Sequence, residues 1–166
     1  MKPVAIDAFD FGRGKERREG ELAVAELPRL AHECVDASGT LLWEIVGGTH
    51  GSGHSQLVMH VSGEVQLMCQ RCLRPFGYPI LSVSTLVLAH DEAQADQIEA
   101  MLDDDTLDVI VGAATMNLTD LIEDEALLAI PQAPKHSSCP DSGAFIDVGD
   151  SNGKPSPFAV LKNLKH

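Results

Sequence analysis

Residues 57–88 read LVMHVSGEVQLMCQRCLRPFGYPILSVSTLVL, and the fold turns on this stretch. Leu57, Met59, Val61, Val65 and Leu67 fall on alternate positions, with Gly63 as punctuation. A period of two marks a strand with one buried face. Beyond a Cys-x-x-Cys, Phe76 to Leu88 carries Tyr78, Ile80, Val83 and Val87, side chains that favour strands. Upstream, Leu41, Trp43 and Ile45 alternate with Leu42, Glu44 and Val46, and a Gly-rich connection follows over 47–53. Regularly spaced strands with short connections predict an antiparallel meander or a partly open barrel rather than βαβ units. No Gly-rich phosphate loop follows any of the runs, so the fingerprints of P-loop and dinucleotide-binding proteins are missing.

Helical spacing flanks the strands. Between Glu21 and Cys34, Leu22, Val24, Leu27, Leu30 and Ala31 recur at roughly that period; Pro28 predicts a helix that starts or kinks there. Asn117 offers an N-cap with Asp120 three residues on, and Leu118, Leu121, Ile122, Glu125 and Leu128 follow before a stop ahead of Pro131. Residues 107–111 are a candidate short strand. The expected class is α+β: an antiparallel sheet packed by a few helices, with acidic loops and a short C-terminal helix. The expected layout is a flexible segment over 1–20, an α+β core over 21–130, an acidic Pro/Gly/Ser-rich loop over 131–157, and an amphipathic segment over 158–166. In that last segment Phe158, Leu161 and Leu164 share a helical face, and Lys162 and Lys165 suit a helix C-terminus.

The 166 residues include 12 Lys and Arg against 25 Asp and Glu, a net charge of −13. The length suits one domain, and 44% hydrophobic residues are too many for full disorder. A generic nucleic-acid coat, which works by neutralising phosphates, is disfavoured by that charge. Its distribution is uneven: residues 91–152 hold 15 acidic groups and the single basic Lys135. This segment reads either as a solvated stretch or as a surface for a basic partner. There is no run of about 18 apolar residues and no secretory leader pattern, so the expectation is a cytoplasmic protein with no membrane partner.

Four cysteines stand at 34, 69, 72 and 139. Cys69 and Cys72 can present two thiolates to one tetrahedral zinc from a tight turn, and His136-x-x-Cys139 offers a second pair at matching spacing. Packing cysteines and a thiol or redox role for Cys69 and Cys72 are the competing readings; the βαβ context usual for redox chemistry is missing. Cys34 reads as core packing. His50, His54 and His60 show no ligand spacing. Glu123, Asp124 and Glu125 read as a solvated helix face, since adjacent helical residues point apart and make no acid–base pair. No serine sits in a G-x-S-x-G setting. No enzyme and no small-molecule substrate are expected; a zinc- or thiol-dependent enzyme using Cys69 and Cys72 is the alternative.

Four separated segments resemble one family. Cys69-Gln70-Arg71-Cys72 through Phe76 is similar to the C-x-R-C-x-x-x-F knuckle of the bacterial YceD family. Leu121 to Pro131 resembles its acidic helix, Pro134, His136 and Cys139 the residues that follow, and Lys154 to Leu161 its C-terminal tail. The resemblance implies a non-enzymatic factor of large-subunit biogenesis, needed for normal levels or processing of 23S rRNA. Two ways of binding then stand open. An acidic face that includes Glu123, Asp124 and Glu125, with the Phe158, Leu161 and Leu164 stripe, could hold a basic ribosomal protein or a precursor particle. Alternatively, Arg17, Arg18, Arg71 and Arg74 could contact precursor 23S rRNA. The concentrated negative charge favours the first.

Overall fold

In the computed structural model, which describes residues 5–104 and 106–140, the chain starts with β1 (Ala5–Ile6), α1 (Ala8–Arg13) and β2 (Arg17–Ala23). A 3-10 turn (Val24–Glu26) and α2 (Pro28–Glu33) lead into β3 (Thr40–Thr49), β4 (Ser55–Met68) and β5 (Pro75–Ala89). Then come α3 (Glu92–Leu102), β6 (Asp108–Val111), β7 (Met116–Asn117) and α4 (Leu118–Leu128). Five strands form one open sheet in the order β2-β3-β4-β5-β6, and β1 pairs with β7 beside it.

The β4–β5 hairpin is paired without a break from Gln56↔Val87 to Met68↔Pro75. That register turns Leu57, Met59, Val61, Val65 and Leu67 to the same side as Ile80, Leu86 and Leu88, because alternate side chains of a pleated strand share a face. Leu41 and Ile45 of β3 extend the face, and Phe11, Leu30, Leu118 and Ile122 from α1, α2 and α4 cover it. Burying each such side chain contributes about 1.5–3 kcal/mol. Helix α1 lies close to β3 because Gly47 has no side chain; a Cβ there would collide with the Phe11 carbonyl.

Several elements differ from expectation. The α+β class holds, with an antiparallel sheet that is open rather than closed; it is not a pure meander, because β6 runs parallel to β5 through the α3 crossover. Helix α3 occupies the start of the acidic 91–152 stretch, where no helix is expected before Asn117. Asp91 caps it by accepting from the Gln94 N–H, and Ala95 and Ile98 bury against Val87 and Ala89 on the sheet's second face. Residues 5–20, read as a flexible entry, carry β1, α1 and part of β2. The helix expected to start or kink at Pro28 does start there, as α2, and the 3-10 turn Val24–Glu26 precedes it. Leu22 belongs instead to β2. The 158–166 helix and the 141–157 part of the expected loop lie outside the described residues.

The α2–α4 contact has an unusual chemistry. Leu27 precedes α2 and has no side-chain acceptor, and Pro28 has no N–H. The next two amide donors are met from α4: Glu123 accepts from the backbone N–H of Arg29 at 2.7 Å and of Leu30 at 3.1 Å. Its second oxygen takes the Arg29 Nε at 2.9 Å. Glu123 thus caps a helix 94 residues away. Glu125 is also buried and accepts from the Ser82 hydroxyl on β5. Of the three carboxylates assigned to a partner, only Asp124 reaches solvent, and it shares Arg29. The reading of a uniformly solvated acidic face is therefore corrected: two of its three members are internal structural groups. Glu123→Ala should cost about 2–4 kcal/mol in urea unfolding, because it leaves two amides unpaired and takes away the partner of the Arg29 Nε. Asp124→Asn should cost less than about 1 kcal/mol. Equal costs would remove the cap from the account.

Candidate metal centre

The turn between β4 and β5 is built from residues 69–74. Cys69 N–H donates to the Arg74 carbonyl at 3.0 Å, Leu73 N–H returns to the Cys69 carbonyl at 2.9 Å, and Leu73 takes a left-handed φ of 56°. This tight loop points the Cys69 and Cys72 sulfurs to one side. The segment after α4 then crosses the hairpin tip, held by Gln70 N–H on the Pro134 carbonyl at 2.8 Å. It delivers His136 and Cys139 to the same place.

One donor atom from each of Cys69, Cys72, His136 and Cys139 lies within 4.8 Å of the others. Cys69 Sγ and Cys139 Sγ are 3.8 Å apart, and His136 Nδ1 stands 3.4 Å from Cys72 Sγ and 3.9 Å from Cys139 Sγ. A tetrahedral ion with bonds of about 2.3 Å to sulfur and about 2.0–2.1 Å to nitrogen has edges of about 3.8 and 3.6 Å. The four donors fit such an ion. Soft thiolates with an imidazole are also the donor set that tetrahedral zinc takes. The Phe76 ring lies 4.6 Å from the His136 ring and fixes its orientation.

The surroundings favour anionic sulfur at Cys69. Burial pushes the Cys69 thiol up, but backbone N–H groups of His136, Cys72 and Arg71 donate to it and bring it down to about 5. Burial raises the Cys72 thiol, assisted by its sulfur neighbours. Arg71 donates from Nε to Cys139 Sγ at 3.0 Å and from its terminal nitrogen to the His136 carbonyl at 3.3 Å. Three thiolates around a dication would leave one negative charge, which the Arg71 guanidinium is placed to offset, as outer-shell groups do in metal sites.

The chain matches the profile of the family described as large ribosomal RNA subunit accumulation protein YceD over residues 57–165. The chain belongs to the YceD family. The matched span starts with the core residues of β4 and includes the knuckle, α4 and all four donors. The large ribosomal RNA subunit accumulation protein YceD of Haemophilus influenzae is 29% identical over 177 positions, covering 98% of this chain and 95% of that protein. No solved structure matches the chain.

The remaining sequence candidates scatter. Arg71, read as an RNA contact, is turned onto the cluster. Arg17 bridges Glu19 and Glu44 across β2 and β3, and Arg18 lies over the Phe11 ring, 5.6 Å from its centre. Arg74 sits at the end of the knuckle. Phe158, Leu161 and Leu164 lie outside the described residues. Sequence reasoning missed Arg71 and Phe76 as supports of the cluster, although both stand inside the C-x-R-C-x-x-x-F motif; that spacing was the available signal.

The Cys69 thiol is depressed from an ordinary 9.0 to about 5 in the folded chain. A depressed acid stabilises the fold where its anion persists, so this contribution is full above pH 9 and is lost as pH falls towards 5. In chelator-treated protein the urea midpoint should therefore drop from pH 9 to pH 5 more for the native chain than for Cys69→Ser. Parallel curves would show that the backbone donors do not favour the thiolate.

Proposed function

We propose that the protein is a non-catalytic binding factor of large ribosomal subunit biogenesis, supporting the accumulation of 23S rRNA. Family membership over the greater part of the chain carries this reading. It works in the cytoplasm, where that assembly occurs, and its partner is a basic ribosomal protein or the precursor particle that contains it. Among the described residues no helix is long and apolar enough to cross a membrane.

Zinc is the proposed resident ion, held by Cys69, Cys72, His136 and Cys139. All four corners of the tetrahedron are filled by side chains, the mark of a structural rather than a catalytic site. The ion's task is to fasten the segment after α4 to the hairpin tip. A thiol enzyme is a poor fit. Cys69, the thiol held as an anion, has no exposed surface from which to attack a substrate.

Two measurements test these statements separately. Native mass spectrometry of freshly purified, chelator-free protein should find one zinc per chain, reduced or lost in Cys72→Ser; metal-free protein would remove the ion. Depletion of the protein in cells should lower 23S rRNA relative to 16S rRNA, with the tagged chain sedimenting alongside precursor large subunits. Unchanged 23S rRNA, or equal loss of both species, would contradict the assembly role.

A further inference from the structure

A groove of about 610 Å³ runs between the end of α3, the edge strand β6 and α4. Its floor is apolar, with Leu107, Ile110 and Leu121 half-buried, and Leu128 stands at its side 81% exposed. Its rim is acidic: Glu99, Asp103, Asp104 and Asp108 all reach solvent. Among the described residues, no Lys or Arg lines it. Thr106 donates from its hydroxyl and its backbone N–H to Asp104 and keeps that carboxyl below its ordinary value, so it is charged at neutral pH.

These features restrict the occupant. Phosphate oxygens would meet four carboxylates with no cation between them, which repels nucleic acid. A neutral apolar segment would cover the floor but strip water from unpaired carboxylates, at a cost it cannot recover. A segment carrying both Lys or Arg and aliphatic side chains meets both demands: the aliphatic groups cover Leu121 and Leu128, and the cations pair with the rim. The second exposed apolar row, Leu42, Leu81 and Val83 on the other side of the sheet, is less selective. It adjoins β2 and β3, where Arg17 as well as Glu19 and Glu44 are found.

We propose that this groove is the docking site for a Lys/Arg-rich segment of a large-subunit ribosomal protein that also carries aliphatic side chains. The choice of a ribosomal protein rests on the assembly role proposed above, whereas the required chemistry comes from the groove alone. The single sign of the rim accelerates encounter with such a segment and rejects acidic competitors. The apolar floor sets how long it stays. Glu123 and Glu125, which are buried, give α4 its place, and Leu121 and Leu128 on the same helix face the guest.

The test uses the full chain with a photo-crosslinking residue at position 128, or at position 42 as the control, mixed with the RNA-free protein fraction of purified large subunits. Position 128 should crosslink to a Lys/Arg-rich segment of a ribosomal protein at least tenfold more than position 42. Glu99→Lys/Asp108→Lys should lower the yield at least tenfold and flatten its dependence on salt. Leu128→Glu changes one highly exposed side chain; added as an unlabelled competitor, it should suppress the crosslink less than the native chain does, with an unchanged melting temperature. Equal crosslinking from both positions, variants that bind as well as the native chain, or crosslinks chiefly to a second copy or to added 23S rRNA would overturn the proposal. If the groove variants still join precursor particles like the native chain, the groove is wrong and the assembly role stands. If the native chain captures neither protein nor precursor, both fail.

Discussion

The register of β4 against β5 is the constraint on which the rest of the molecule depends. The unbroken pairing from Gln56↔Val87 to Met68↔Pro75 decides which side chains face the core. A slip of one residue would turn Leu57, Met59 and Val61 outward and carry the whole buried set with them. The same register closes the hairpin at Met68 and Pro75, so Cys69 and Cys72 emerge in a six-residue turn with no freedom to separate. Core and cluster are thus two outcomes of one pairing. Helices α1, α2 and α4 fill the first face, and α3 takes part of the second, near Val87 and Ala89.

Charge acts on two levels in this fold. Glu123 and Glu125 turn inward and serve as acceptors for a helix start and a strand hydroxyl. They spend their charge on holding α2, α4 and β5 together. Glu99, Asp103, Asp104 and Asp108 stay in water around an apolar floor. The net charge of −13 therefore does not describe a uniform acidic coat. Part of it is architecture, and part is a local surface suited to a cationic guest. The basic groups show a similar division: Arg29 and Arg71 serve a helix junction and a sulfur cluster inside the chain.

Much of this was legible in the sequence where one strong local rule applied. Alternation identified β3, β4 and β5, Asn117 and Pro131 bracketed α4, and matched Cys-x-x-Cys and His-x-x-Cys spacings pointed to the four donors. Legibility failed where the stabilising partner is distant. Helix α1 has six residues, too few to stand alone, and exists through its packing on β3. Helix α3 was hidden by its acidic composition, although Asp91 and Gln94 formed a readable start signal. The parallel β6 followed from that same oversight, since a crossover helix is what permits parallel pairing. Glu125 lies seven residues from Leu118, on the inward stripe of α4, and only the Ser82 hydroxyl on β5 explains a carboxylate there. The cap by Glu123 could not be read locally, because its partner lies 94 residues earlier.

The central claim is that an ion held by four donors joins the 131–139 segment to the β4–β5 tip, leaving the helical packing to stand by itself. Amide hydrogen exchange with and without chelator tests this most directly. Removing the metal should speed exchange together at residues 69–74 and 131–139, while the Arg29 and Leu30 amides capped by Glu123 keep their protection. Unchanged exchange at the tip and the crossing segment, or a uniform loss throughout the chain, would contradict the account.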